Sequence, residues 1–270
     1  MKSYIQSNKK GLIILFMAIV MISVIFTLKG EKSVNYNNDS MELTSAVLLK
    51  NIDAQKEISE EEKIELTLNE YIDEINFFAD TFQIKRDIFY DLLRKDIDVL
   101  ENSENIDKTL VDYLFSLEEQ SESLFSNKLV SCTDSKDYLL SLIRYYTTIY
   151  DNVEFQVAAA IAEIESGYNA PAMLRKNNIF GGMARGTLIQ YRNIEYGVLK
   201  YIKLLSESYY AKGLTTVEAI GVVYNPIIDE SGKKIANPTW IANVKKVLKK
   251  YEEFEAINSV SDIISLHEAV

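Results

Sequence analysis

Val157-Ala158-Ala159-Ala160-Ile161-Ala162-Glu163-Ile164-Glu165-Ser166-Gly167 is an apolar, alanine-rich run that closes on two carboxylates and a glycine. Alanine has the best intrinsic helix propensity, and a glycine just past such a run supplies the left-handed residue that often ends a helix. The stretch therefore predicts a buried helix over 154–166. Its two carboxylates are not equivalent. At about 100° per residue, Glu165 lies about 40° from Ile161, whereas Glu163 lies about 160° away. Glu165 borders the buried stripe and sits at the negative end of the helix, and both conditions favour the protonated carboxyl. A carboxyl that keeps its proton near neutrality is a general acid. Glu163 reads as a solvated or paired surface residue.

Working outward toward the C-terminus, the helical pattern breaks through Asn169-Ala170-Pro171 and a loop over Asn177 to Gly186. Thr187 to Arg192 alternates and is β-prone, which predicts a small hairpin with Gly182 to Ala184. Helices are expected again near 194–211, 216–224 and 238–254, with 231–237 as a loop and Pro238 in the first turn of the last helix. Toward the N-terminus, periodic apolar residues predict helices over 138–150 and across 60–128, where Ile64, Leu68, Tyr71, Ile72, Ile75, Phe78 and Phe82 recur at spacings of three and four. The expected fold class is mainly α, an α+β arrangement with one small hairpin. Acidic residues outnumber basic ones by more than two to one in 60–130, while 131–257 is close to balanced. The plain reading of 60–130 is a set of solvated acidic helix faces whose aromatic side packs on the next region. The sharper reading is a docking module for a membrane-protein partner.

The first 30 residues are chemically distinct. Residues 1–10 carry Lys2, Lys9 and Lys10, and residues 11–28 contain no charge. A charge-free run of that length with basic residues before it reads as a transmembrane signal anchor, residues 1–10 in the cytoplasm and the rest outside, followed by a polar stalk at 29–59. A short C-terminal tail, 258–270, is expected after the last helix. The chain has one cysteine, Cys132, and one histidine, His267, in that tail. Cys/His and Ser/His/Asp nucleophilic chemistry is thereby excluded, and no cluster has metal-ligand spacing, so neither a cofactor nor a metal is expected. A net charge of −11 and the lack of a glycine-rich phosphate loop argue against nucleic acid.

Glu165-Ser166-Gly167-Tyr168 after an alanine-rich helix, Asn178-Ile179-Phe180-Gly181-Gly182 about a dozen residues on, Tyr224, and Trp240-Ile241 before a final helix together resemble the bacterial peptidoglycan N-acetylglucosaminidases with a lysozyme-like fold. With the anchor, the chain is similar to the membrane-bound glucosaminidases of Gram-positive bacteria, the SagB type. The resemblance covers about residues 140–254. It implies a catalytic domain over 131–257 that cuts peptidoglycan glycan strands between N-acetylglucosamine and N-acetylmuramic acid, outside the cell membrane and facing the wall. It implies Glu165 as catalytic acid, Tyr224 as the group that holds the acetamido or stabilises developing charge, and Asn178, Phe180 and Gly181 as the cleft wall. Tyr168, Tyr191 and Trp240 offer flat faces for sugar rings or, equally, for the core.

In that family a second carboxylate stands in the hairpin after the Asn-x-Phe-Gly loop. Here no Asp or Glu occurs between Ser166 and Ile194. Glu195, Asp229 and Glu230 are the nearest substitutes, each with an ordinary reading as a helix-start or loop charge. Substrate assistance, in which the sugar's own 2-acetamido oxygen attacks the anomeric carbon, needs only Glu165. The vacancy equally admits a lytic transglycosylase that forms anhydro-muramic ends. The reading from a different class is a non-enzymatic scaffold that binds glycan or a membrane partner.

Overall fold

The Ser59 hydroxyl accepts from the Glu62 amide, and the Glu62 carboxylate accepts from the Ser59 amide, both at 3.1 Å. This reciprocal cap satisfies two of the orphan donors at a helix start. It opens α1 (Glu60–Glu70) in a computed structural model that describes residues 58–132, 135–251, 257 and 259–268. There follow α2 (Ile72–Phe82), α3 (Arg86–Lys95), the single turn α4 (Asp98–Glu101) and α5 (Ile106–Gln120). The second half holds α6 (Lys136–Ile149), α7 (Phe155–Ser166), the short α8 (Pro171–Leu174), β1 (Met183–Ala184), β2 (Thr187–Leu188) and α9 (Ile194–Ser208). It closes with α10 (Val217–Tyr224), β3 (Pro226–Ile228), β4 (Lys234–Ala236), α11 (Pro238–Leu248) and α12 (Val260–Glu268). The architecture is mainly helical, with two antiparallel hairpins among the described residues.

β1 and β2 pair Met183 with Leu188 and Ala184 with Thr187, the hairpin that the alternating sequence predicts. The second hairpin departs from expectation. Residues 231–237 read as loop, yet Lys234–Ala236 pairs with Pro226–Ile228 in the register Pro226↔Ala236, Ile227↔Ile235, Ile228↔Lys234. A second departure lies in the expected tail. Val260 and Ile263 are each 1 % exposed, and α12 packs on α2 and α6.

Ser59–Val270 forms one compact unit, and its core crosses the change in composition near residue 130. The ring of Phe82 on α2 meets Phe115 on α5 at 4.9 Å and Tyr196 on α9 at 5.4 Å, both edge-on. Arg192 crosses the same boundary. Its guanidinium donates to the Phe82 carbonyl at 2.6 Å, pairs with Glu118 and lies 4.4 Å from the centre of the Tyr196 ring. Each fully buried aromatic here contributes roughly 1.5–3 kcal/mol of transfer free energy, so this seam binds α1–α5 to the helices that follow. α7 is sandwiched between α6 and α11, with Val157 through Ala162 buried. No helix among the described residues is long and apolar enough to cross a membrane, and the expected anchor at 11–28 lies outside those residues.

Candidate active site

α7 ends where its sequence predicts. Gly167 takes φ +57°, and its amide donates to the Glu163 carbonyl at 2.9 Å, so the last turn stops with Glu165 half-buried beside the close. One carboxylate oxygen of Glu165, Oε1, accepts from the indole Nε1–H of Trp240 at 3.1 Å. The other, Oε2, faces the backbone of Gly181, where an added Cβ would stand 2.9 Å from it. Gly181 also has φ +68°, a left-handed conformation that a side chain would strain. Burial raises the Glu165 pKa above its ordinary value, and the Trp240 bond only partly offsets that. The fold thus favours the protonated form more than water does for a free carboxyl.

Glu163, two residues earlier, has the opposite environment. Burial would raise its pKa, but Lys250, Tyr251 and Lys136 surround the carboxylate and bring it below the ordinary value. It is a structural anion that ties α7 to the segment after α11.

The wall opposite Glu165 comes from the loop over 177–182. The Asn178 side chain, 2 % exposed, donates to the carbonyls of Gly182 at 2.8 Å and Ile189 at 2.9 Å and accepts from the Gly182 amide at 3.1 Å. It is a clamp that shapes the loop and the hairpin behind it. Phe180, also 2 % exposed, lies face to face with Tyr201 on α9. Tyr224 ends α10, donates its hydroxyl to the Phe180 carbonyl, and stacks on Trp240 with centroids 5.5 Å apart and planes at 28°. Its pKa stands well above the usual phenol value, first through burial and then through the nearby Glu165 charge. Asn237 holds Trp240 in place by capping the first turn of α11, accepting from the amides of Thr239 at 3.0 Å and Trp240 at 3.4 Å.

The structure therefore gathers Glu165, Tyr224, Trp240, Phe180 and Gly181, with Asn178 one step behind them. Tyr168 and Tyr191 stand apart. Tyr168 is 3 % exposed, donates to the Ala159 carbonyl at 2.7 Å and is covered by Lys136, so it offers no open face to a ligand. Tyr191 is half-buried against Tyr196 in a shallow depression of about 360 Å³ that it shares with Asn127, Gln190 and Arg192. Trp240 is 4 % exposed and serves the carboxyl with its N–H instead of presenting its face.

None of the three substitute carboxylates joins Glu165. Glu195 accepts from Tyr138 at 2.9 Å and lines a cavity of about 390 Å³ between α2, α6, α9 and α12. Asp229 accepts from the amides of Ser231 and Lys233, both at 2.9 Å, and closes the turn of the β3–β4 hairpin. Glu230 is exposed on that same turn. Sequence reasoning missed two residues that shape the site. Tyr201 reads as one more core aromatic on the Ile194, Val198, Ile202, Leu205 face. Asn177, fully buried at φ +53°, ties the loop to Val130 and Tyr191 by side-chain bonds of 2.7 and 3.0 Å. Asparagine's tolerance of left-handed backbone was the available signal for the latter. No family model, curated protein or solved structure matches the chain.

Proposed function

We propose that the chain is a membrane-anchored peptidoglycan glycosidase with a lysozyme-like catalytic region, cutting the glycan between N-acetylglucosamine and N-acetylmuramic acid. The observation that carries the reading is Glu165: a half-buried carboxyl whose pKa burial raises, held at one oxygen by an indole and set at the other against the side-chain-free backbone of Gly181. The choice of peptidoglycan rests on the sequence resemblance. Glu165 protonates the glycosidic oxygen as the anomeric carbon takes on oxocarbenium character, a contribution of roughly 100- to 10,000-fold for a well-placed acid. With Glu195 and Asp229 engaged elsewhere and Glu230 exposed on the β3–β4 turn, the 2-acetamido oxygen of the substrate supplies the nucleophile. Tyr224 lies beside the acid, its hydroxyl held on the Phe180 carbonyl and its ring on Trp240, on the side of the sugar that carries that acetamido group.

A Glu165 without Glu195, Asp229 or Glu230 beside it also favours a second outcome, in which the muramic 6-hydroxyl replaces water and leaves an anhydro end. The test is incubation of the full chain, purified in detergent, with isolated peptidoglycan, followed by mass spectrometry of product ends, with Glu165→Gln alongside. Reducing N-acetylglucosamine ends mean glucosaminidase and anhydro-muramic ends mean transglycosylase. The absence of any Glu165-dependent product would overturn both and leave the glycan- or partner-binding scaffold.

A further inference from the structure

We propose that Trp240 is a positioning residue that decides which oxygen of Glu165 delivers the proton, keeping Oε1 occupied so that Oε2, on the Gly181 side, is the donor. The inference rests on the reading of Glu165 as the general acid. An indole N–H can only donate, whereas a carboxylic acid must donate from the oxygen that carries its proton. With Nε1–H 3.1 Å from Oε1, a proton on Oε1 would face another hydrogen, so the neutral acid carries its proton on Oε2.

Trp240 has little freedom to release that oxygen. It is 4 % exposed, its backbone is fixed by the Asn237 cap, and its ring lies against Tyr224 on one side. Gly221 leaves room for the ring edge, since a Cβ there would come within 3.1 Å of Trp240 Cζ3. On the other side of the carboxyl, the space against Oε2 exists because position 181 lacks a side chain, a Cβ there falling 2.9 Å from Oε2. Two glycines and one indole thus orient one carboxyl. In the step itself the Oε2–H bond breaks, the proton passes to the glycosidic oxygen, and the electron pair of the anomeric C–O bond leaves with that oxygen. The charge left on the carboxylate is shared with Oε1, where the indole N–H stabilises it.

The titratable groups facing Glu165 are Tyr224 from α10 and Tyr201 from α9, both phenols pushed well above their usual range, chiefly by burial. Lys136, Lys250 and Tyr251 gather on Glu163 instead. A titration seen at Trp240 below the phenol range therefore reports Glu165.

Trp240 is the only tryptophan in the chain, so full-length protein labelled with indole ¹⁵N gives one N–H signal to follow. We expect that signal to shift through a single titration whose midpoint lies above the ordinary carboxylate value, and the titration to vanish in Glu165→Gln. Trp240→Phe, which keeps a ring against Tyr224 but removes the donor, should lower kcat about tenfold. It should also move the alkaline limb of kcat/KM upward, because a carboxylate that loses a donor is harder to form. An indole signal with no Glu165-dependent titration overturns the proposal, as does a folded Trp240→Phe enzyme with unchanged kcat and unchanged limb. If Trp240→Phe does not fold, the wild-type indole titration alone decides. Wild-type protein without Glu165-dependent cleavage would sink the glycosidase reading, while the indole titration would still show whether the pair exists.

Discussion

Two carboxylates on the last turn of one helix make opposite commitments. Glu165 has its pKa raised by burial, so the stability tied to its protonated form is complete below the unfolded value of 4.5 and lost as pH rises through the folded value. Glu165→Gln should therefore raise Tm at pH 7, with a scale of about 2–4 °C per kcal/mol for a chain of this size, and leave it unchanged near pH 4, as thermal melts at the two pH values would show. The same variant should lose activity by roughly 100-fold or more. Glu163 has the reverse sign. Its pKa is lowered by Lys250, Tyr251 and Lys136 against the effect of burial, so its contribution is present above 4.5 and lost as pH falls through the folded value. Glu163→Gln should cost about 1–2 kcal/mol at neutral pH and little under acid conditions, measured by urea denaturation. The helical wheel separated these two residues correctly because one neighbour's position on a helix follows from spacing alone. It could not supply Trp240, which comes from 75 residues away in sequence.

At the scale of elements, the loop over 177–182 and the hairpin after it stand or fall on buried asparagines. Asn178→Ala would remove a side chain that makes three hydrogen bonds to Gly182 and Ile189, leaving backbone groups unsatisfied at about 1–3 kcal/mol each when fully buried. We expect a loss of about 3 kcal/mol in denaturant melts, together with loss of cleavage, since the Gly181 wall would no longer be held against Glu165. Gly197 is a sharper case. A Cβ there would fall 2.1 Å from the Asn177 carbonyl oxygen, so Gly197→Ala should destabilise by at least about 2 kcal/mol by forcing α9 away from that loop, which a shift in the chemical-denaturation midpoint would register. Helices such as α6, α7 and α11 were legible, since apolar spacing, Gly167 past the end of α7 and Pro238 in the first turn of α11 carry local signals. The β3–β4 hairpin was not. Its strands are three residues each and largely exposed, so no alternation announces them, and they are held by the joining of Asn237 to Asn225 as much as by their own pattern.

For the whole molecule, a sharp change in charge near residue 130 does not coincide with a boundary in the core. Phe82, Phe115 and Tyr196 interlock across it, and Arg192 bridges Phe82 and Glu118. The protein over Ser59–Val270 should consequently unfold in one cooperative transition. A fragment beginning at residue 131 should fail to give a cooperative melt by circular dichroism, whereas two separate transitions in the intact protein would contradict a shared core. By itself the sequence determined the helical class, the course of α6, α7 and α10, the starts of α9 and α11, the first hairpin and the candidacy of Glu165. Each of these depends on neighbours within a few turns of chain, where spacing and propensity act directly. Only the tertiary structure decided that Trp240 reaches Oε1, that Gly181 faces Oε2, that Tyr168 is closed into the core and that Glu195, Asp229 and Glu230 serve other neighbourhoods. Those outcomes are contacts between distant segments, set by how whole helices pack, and no local pattern encodes them.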